Sequence, residues 1–143
     1  MAVLTDILIA LPDDAPAIVA QWPGSKNWPA FETTGLSSLV LAELAQALGQ
    51  ARLGKAIQDL APSSAGDKTD GPWVFVLPLE FRDRIAEIPE SDIGKLAQAW
   101  SDGEEAGGSG LTPQAAEDLL RGLHALSARA RDSQRPLLLW ISL

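Results

Sequence analysis

The sequence predicts an α+β domain in which helices pack over a small sheet of about three strands. Apolar, β-rich segments at residues 3–11, 73–79 and 137–143 indicate the strands. The segments between them repeat their apolar residues at helical spacing. Because strands and helices alternate along the chain, a small parallel α/β sheet is the alternative. A length of 143 residues, with 46% hydrophobic and 21% charged residues, predicts one globular domain over residues 1–143.

The first half of the chain is expected to hold one strand and several short helices. Residues 3–11 form the predicted strand, which Pro12 bounds. Residues 13–21 predict a short helix, and residues 21–34 a loop punctuated by proline and glycine. The main helix of this half is predicted at residues 36–48, because its leucines share one broad face.

Two residues mark the expected ends of that helix. Thr34 is the predicted N-cap, and Gly49 stands where many helices end on a left-handed glycine. A further helical segment follows at residues 53–60. Residues 62–72 are rich in serine, glycine and aspartate, which predicts a mobile surface loop.

The second half begins with the strand at residues 73–79, which is apolar on both faces and therefore typical of an interior strand. A short helix is predicted at residues 79–88, and Ser91 is the expected cap of the next helix. A glycine-rich acidic loop is expected at residues 102–110. The apolar side chains of the helix after Ser91 are Ile93, Leu96, Ala97 and Trp100.

The best-defined helix begins at Thr112, a capping residue followed by Pro113 at the first helical position. Pro136 then precedes the last predicted strand, residues 137–143. This strand is too apolar to lie free, so we expect it to be docked in the sheet. The stripe of the helix comprises Ala116, Leu119, Leu120, Leu123, Leu126, Ser127 and Ala130.

The inventory of reactive side chains is small, with no cysteine, no tyrosine and one histidine, His124. Without cysteine the chain has no disulfide, thiolate metal site or thiol nucleophile. Asp6 interrupts the first strand, and Glu43 lies at the edge of an apolar arc. His124 borders the stripe of its helix, two turns from Glu117. These three acid/base candidates form no known motif, so we assign no catalytic, cofactor-binding or metal-binding residue.

The charge of the chain indicates the kind of partner. A net charge of −8 and a pI near 4.5 argue against nucleic acid and anionic membranes, and favour a basic protein. No apolar run approaches the roughly 20 residues that span a bilayer. The first residues also lack the basic region of a signal peptide. We therefore expect a cytoplasmic protein.

Two segments are candidates for partner recognition. In residues 22–31, aromatic side chains surround a polar tip, an arrangement that suits recognition anchors but also suits a cover over the core. In residues 87–105, six acidic side chains stand against Lys95 alone, an arrangement that suits steering of a basic partner but also suits a solvated helix cap and loop. The candidate residues are Trp22, Lys26, Trp28 and Phe31 in the first segment, and Glu87, Glu90, Asp92, Asp102, Glu104 and Glu105 in the second.

A third segment carries the opposite charge. Arg121, Arg129, Arg131 and Arg135 lie along or just beyond the last predicted helix. Cations near a helix C-terminus complement its dipole, and this explanation suffices for them without nucleic acid.

These observations predict a small acidic protein-interaction module, of the inhibitor, immunity or adaptor type, that binds a basic protein. One alternative is a hydrolase or isomerase that uses Asp6, Glu43 or His124. The other is a structural subunit that self-associates through residues 22–31. The sequence leaves the partner and the oligomeric state open.

Overall fold

A computed structural model describes residues 4–143 of the chain, apart from the side chain of Lys68; Val3, included in the first predicted strand, lies outside the described residues. The described residues form five β-strands and seven α-helices. The strands are β1 (Leu4–Ile9), β2 (Ala30–Thr34), β3 (Ser64–Lys68), β4 (Gly71–Val76) and β5 (Leu137–Ser142). The helices are α1 (Ala15–Gln21), α2 (Ser38–Ala47), α3 (Ala51–Gln58), α4 (Leu79–Ala86), α5 (Ile93–Ser101), α6 (Glu104–Gly108) and α7 (Pro113–Asp132).

The strands form one open sheet in the order β2-β1-β5-β4-β3, and every neighbouring pair is antiparallel. The predicted α+β class is confirmed. The predicted number of about three strands is wrong, because the sheet has five. The parallel α/β alternative is also wrong, since no pair of neighbouring strands in the described sheet is parallel.

The two strands that the sequence analysis missed are the edges of the sheet. β2 lies in the segment predicted to be a loop at residues 21–34, and β3 lies in the predicted mobile loop at residues 62–72. Edge strands are short and pair on one side only, so they do not need the apolar residues that mark interior strands. The sequence of β3, Ser-Ala-Gly-Asp-Lys, therefore reads as a loop.

The sheet is covered unequally on its two faces. On one face, side chains such as Ile7, Leu137 and Leu139 pack into the large core formed with α2 to α7. On the other face, Leu138 and Trp140 belong to a smaller cluster with α1. The central strand β5 is buried on both faces, as its sequence predicted.

Three ends of the two longest helices, α2 and α7, carry a local sequence signal. Gly49, with a φ of 78°, follows α2 as predicted. The cap of α2 is Ser37 and not Thr34, because Thr34 is the last residue of β2; the Ser37 hydroxyl accepts a hydrogen bond from the Val40 N–H at 3.3 Å. Thr112 caps α7 as predicted.

Two predictions around α5 need correction. The predicted cap Ser91 lies inside a short 3-10 turn, Glu90–Asp92, which leads directly into α5. The loop predicted at residues 102–110 contains the short helix α6. Within the described residues, no helix is both long enough and apolar enough to cross a membrane.

Candidate functional site

The aromatic residues of the 22–31 segment are divided between the two faces of the sheet. Trp22 is 5% exposed in the smaller cluster, and its Nε1 donates a hydrogen bond to Asp6 Oδ2 at 2.7 Å. Phe31 packs in the larger core, so close to α7 that a Cβ on Gly122 would lie 2.5 Å from its ring. Trp22 and Phe31 therefore contribute mainly to packing within the chain.

The polar residues around Trp22 are also engaged internally. Lys26 lies over the Trp22 ring at 4.5 Å from its centroid and forms an ion pair with Glu32. Asp6 is 7% exposed and accepts hydrogen bonds from Trp22 and from the Thr33 N–H. A buried carboxylate needs such donors, and here they join β1, β2 and the loop after α1.

The acidic residues predicted for recognition are all exposed, and two of them form ion pairs within the chain. Glu87 lies 3.8 Å from Arg84, and Glu90 lies 3.4 Å from Arg121. Exposed pairs of this kind contribute little stability but reduce the local charge. The four that form no ion pair with another described side chain are Asp92, Asp102, Glu104 and Glu105.

These four carboxylates do not form one cluster. Asp92 precedes α5 and Asp102 follows it, so the helical rise separates them by about 15 Å along the axis. Asp102, Glu104 and Glu105, in contrast, lie together at the junction of α5 and α6. The structure therefore places three of these four carboxylates at one end of α5.

Glu43 holds this junction in place. Its carboxylate, on α2, accepts hydrogen bonds from the Glu105 and Ala106 N–H groups at 3.0 and 2.7 Å. These are N–H groups in the first turn of α6, which have no partner within the helix. A Cβ on Gly103 would lie 2.6 Å from Glu43 Oε1, so glycine is needed for this approach. Glu43 thus fixes the first turn of α6, and with it the backbone of Glu105, against α2.

Replacement of Glu43 by alanine should leave two N–H groups of α6 without their acceptor. Because hydrogen bonds to a charged group contribute about 1.5–3 kcal/mol, we expect a loss of that order in the free energy of unfolding. Urea denaturation followed by circular dichroism measures it. Gln46→Ala, at an exposed position of the same helix, is the control. Equal effects of the two substitutions would contradict the role given to Glu43.

A groove lies where the turn between α6 and α7 meets the loop between β2 and α2. It consists of two adjoining cavities of about 390 and 400 Å³ that share Gly35, Val40 and Ser109. Its apolar lining includes Leu36, Val40, Leu111 and Leu119. The described carboxylate residues that line it are Glu105 and Asp118. We call it the acidic groove.

The charge of the acidic groove is of one sign. No lysine, arginine or histidine of the described residues lines it. Glu105 and Asp118 are exposed, and among the described residues Asp118 accepts a hydrogen bond only from the neutral amide of Gln114, at 3.2 Å. Neither carboxylate forms an ion pair with a described side chain, so both can contact a ligand in the groove.

The sequence pattern of α7 predicts its apolar stripe but gives no sign of a role for Asp118. Asp118 precedes Leu119, a member of that stripe, and thus lies on its flank. Its place in the groove arises from the packing of α7 against the β2–α2 loop, which has no local sequence signal. Glu105 was predicted from the charge bias alone.

Trp28, the remaining aromatic candidate, is half-buried in a second cleft. This cleft also contains Arg129 and Arg135, from the segment that the sequence analysis assigned to the helix dipole. The structure thus joins two segments that the sequence presented as unrelated.

The acid/base candidates lie in three separate environments. Asp6 lies on the sheet face next to α1, whereas Glu43 lies in the helical layer on the other face. His124 is half-buried on α7, and Glu117 pairs with Arg121 at 3.3 Å. No hydrogen bond among the described residues joins any two of Asp6, Glu43 and His124. Their geometry gives no support to a carboxylate-dependent enzyme.

Comparison with known proteins finds no matching family model, no matching curated protein and no matching solved structure.

Proposed function

We propose that this chain is a protein-interaction module, of the inhibitor, immunity or adaptor type, that binds a basic segment of a partner protein in the acidic groove. One observation carries the proposal: the groove combines an apolar lining with the carboxylates of Glu105 and Asp118, and no described cation lines it. Such a site suits a chain segment that offers both apolar and cationic side chains.

The two components of the groove act on different parts of the ligand. Val40, Leu111 and Leu119 can cover an apolar side chain or the aliphatic stem of a lysine or arginine. The charged end of that side chain then reaches Glu105 or Asp118, and a guanidinium pairs with a carboxylate through two hydrogen bonds. Binding in a groove also reduces screening by salt compared with an open surface.

The surrounding charge extends the attraction beyond the groove. Asp102 and Glu104 lie on the same junction as Glu105 and form no ion pair with a described side chain. The whole chain has a net charge of −8. A field of this sign accelerates encounter with a basic partner, and the association rate falls as salt increases.

A paired comparison of charge variants tests the proposal. The probe is a fluorescein-labelled peptide of alternating leucine and lysine or arginine, measured by fluorescence anisotropy at low and high salt. Removal of both groove charges in Glu105→Gln/Asp118→Asn should weaken binding about tenfold, which corresponds to about 1.4 kcal/mol. Asp13→Asn/Asp67→Asn removes the same charge from exposed positions outside the groove and should have less than about a twofold effect.

Two results would count against the proposal. If the two double variants weaken binding equally, the peptide responds to net charge and not to the groove. If a peptide with glutamate in place of the basic residues binds as tightly, the carboxylates do not select the ligand.

A further inference from the structure

The second cleft, of about 590 Å³, lies at the C-terminal end of α7, where the loop between α1 and β2 approaches it. Arg129, Ser133 and Arg135 line one side, and Asn27 and Trp28 line the other. Ile9, Leu11 and Pro29 complete an apolar floor. We call it the arginine cleft. Its volume is within the range of pockets that hold small molecules.

The two arginines of the cleft have no counter-ion within the described part of the chain. Arg129 and Arg135 are exposed and form none of the ion pairs between described residues. Asp14 is the one carboxylate among the described residues that line the cleft, and its Oδ2 accepts a hydrogen bond from the Leu11 N–H at 2.9 Å. Two guanidinium groups in one cleft favour the binding of an oxyanion, because each guanidinium can contact the oxyanion through two N–H groups.

The end of α7 does not need these side chains as hydrogen-bond donors. The Ala130 carbonyl accepts from the Arg135 N–H at 2.9 Å and from the Ser133 hydroxyl at 3.1 Å. The Arg131 carbonyl accepts from the Gln134 N–H at 3.0 Å. Backbone groups therefore satisfy these carbonyls, and the guanidinium groups remain for a ligand.

The backbone at Arg135 is held in place before any ligand binds. Gln134 has a φ of 58°, the left-handed region that a side chain other than glycine rarely adopts. The Arg135 N–H bonds to α7, and its carbonyl accepts from Arg82 Nη1 at 3.0 Å. Arg82 is itself largely buried and paired with Asp83. A fixed backbone lowers the entropic cost of ordering the arginine around an anion.

The position of Trp28 indicates which group the ligand carries in addition to its anionic group. It is half-buried, so part of its indole is available in the cleft beside the Asn27 amide. An indole suits stacking with a planar ring. We propose that the arginine cleft binds a small aromatic anion, in which a phosphate or carboxylate group contacts Arg129 and Arg135 while the ring packs on Trp28.

This site is separate from the acidic groove. Ala115, Asp118 and Leu119 of α7 line the groove, whereas the last turn of α7 lines the cleft. The 20 residues of this helix extend over about 30 Å. The two sites have opposite charge, so either proposal can fail without the other.

Isothermal titration calorimetry with four probes tests the inference. Phenyl phosphate and benzoate distinguish the two oxyanions, inorganic phosphate lacks the ring, and benzyl alcohol lacks the charge. We expect phenyl phosphate or benzoate to bind at least about tenfold more tightly than either inorganic phosphate or benzyl alcohol. Arg129→Gln and Arg135→Gln should each weaken that binding about tenfold.

Arg131→Gln is the matched control, because Arg131 is exposed on the same turn of α7 but does not line the cleft. It should change affinity less than about twofold. An Arg131→Gln effect as large as that of Arg129→Gln would overturn the inference in favour of general electrostatic attraction. Equal affinity for phenyl phosphate and inorganic phosphate would overturn the proposal that an aromatic ring of the ligand packs on Trp28. No heat of binding with any anion at about 10 mM would overturn the site itself.

Discussion

Removal of residues 140–143 is expected to unfold the protein. These residues belong mainly to β5, the central strand, which pairs with β1 on one side and β4 on the other. The deletion removes the strand pairing that Trp140 and Ile141 make with β1 and with β4. It also removes Trp140, which is 4% exposed.

The size of the effect follows from these losses together. Deletion of one buried tryptophan side chain costs about 3–5 kcal/mol. The loss of the ladder on both sides leaves β1 and β4 with unpaired backbone groups inside the sheet. Because domains are stable by only about 5–15 kcal/mol, the sum is enough to abolish the folded state.

Two measurements show whether the truncated chain still folds. They are thermal melting followed by circular dichroism and the dispersion of amide signals in an NMR spectrum. Deletion of Leu143 alone is the control, since Leu143 is 52% exposed and lies beyond the strand. It should retain a cooperative transition. A cooperative transition of the longer deletion within a few degrees of the full chain would contradict the central role of β5.

Replacement of Trp100 by alanine is expected to cost about 3–5 kcal/mol in the free energy of unfolding. Trp100 is fully buried on α5, between the other helices of the larger core. Its Nε1 donates a hydrogen bond to the Val40 carbonyl at 2.8 Å. The substitution therefore leaves a cavity and removes the partner of a carbonyl on α2.

Trp100→Phe separates the two contributions, because it keeps most of the ring volume and removes the N–H. We expect it to cost less than the alanine variant, and urea denaturation of both measures the difference. A loss below about 1 kcal/mol for Trp100→Ala would contradict the packing described for this core. Val40 also lines the acidic groove, so both variants should weaken peptide binding there.

The interior elements of the fold were predictable from local patterns, and the peripheral ones were not. β5 and β4 are apolar on both faces, and α7 has an N-cap residue, a proline at its first position and an apolar stripe. A short stretch of sequence is therefore enough to identify each of these elements. β2 and β3 pair on one side only and carry polar residues. The helix α6, Glu-Glu-Ala-Gly-Gly, depends on Glu43, about 60 residues earlier, for its N-terminal hydrogen bonds.

The negative charge of the candidate site was predictable from the sequence, but the groove that the packing forms there was not. A count of acidic residues over a short window was enough to indicate Glu105 and its neighbours. Asp118 joins them only through the packing of α7 against the β2–α2 loop. The same limit applies to Trp28 and Arg129, which are about 100 residues apart in sequence and line one cleft. Contacts between distant segments leave no local pattern to detect.

The central claim is that a basic segment binds in the acidic groove, and NMR chemical-shift mapping tests it most directly. The leucine–lysine/arginine peptide is titrated into the full chain, and each backbone amide is followed. The proposal predicts that the largest shifts cluster at Gly35, Val40, Ser109 and Asp118, and that they disappear in Glu105→Gln/Asp118→Asn. Shifts of similar size over all acidic surfaces, unchanged in that variant, would contradict it.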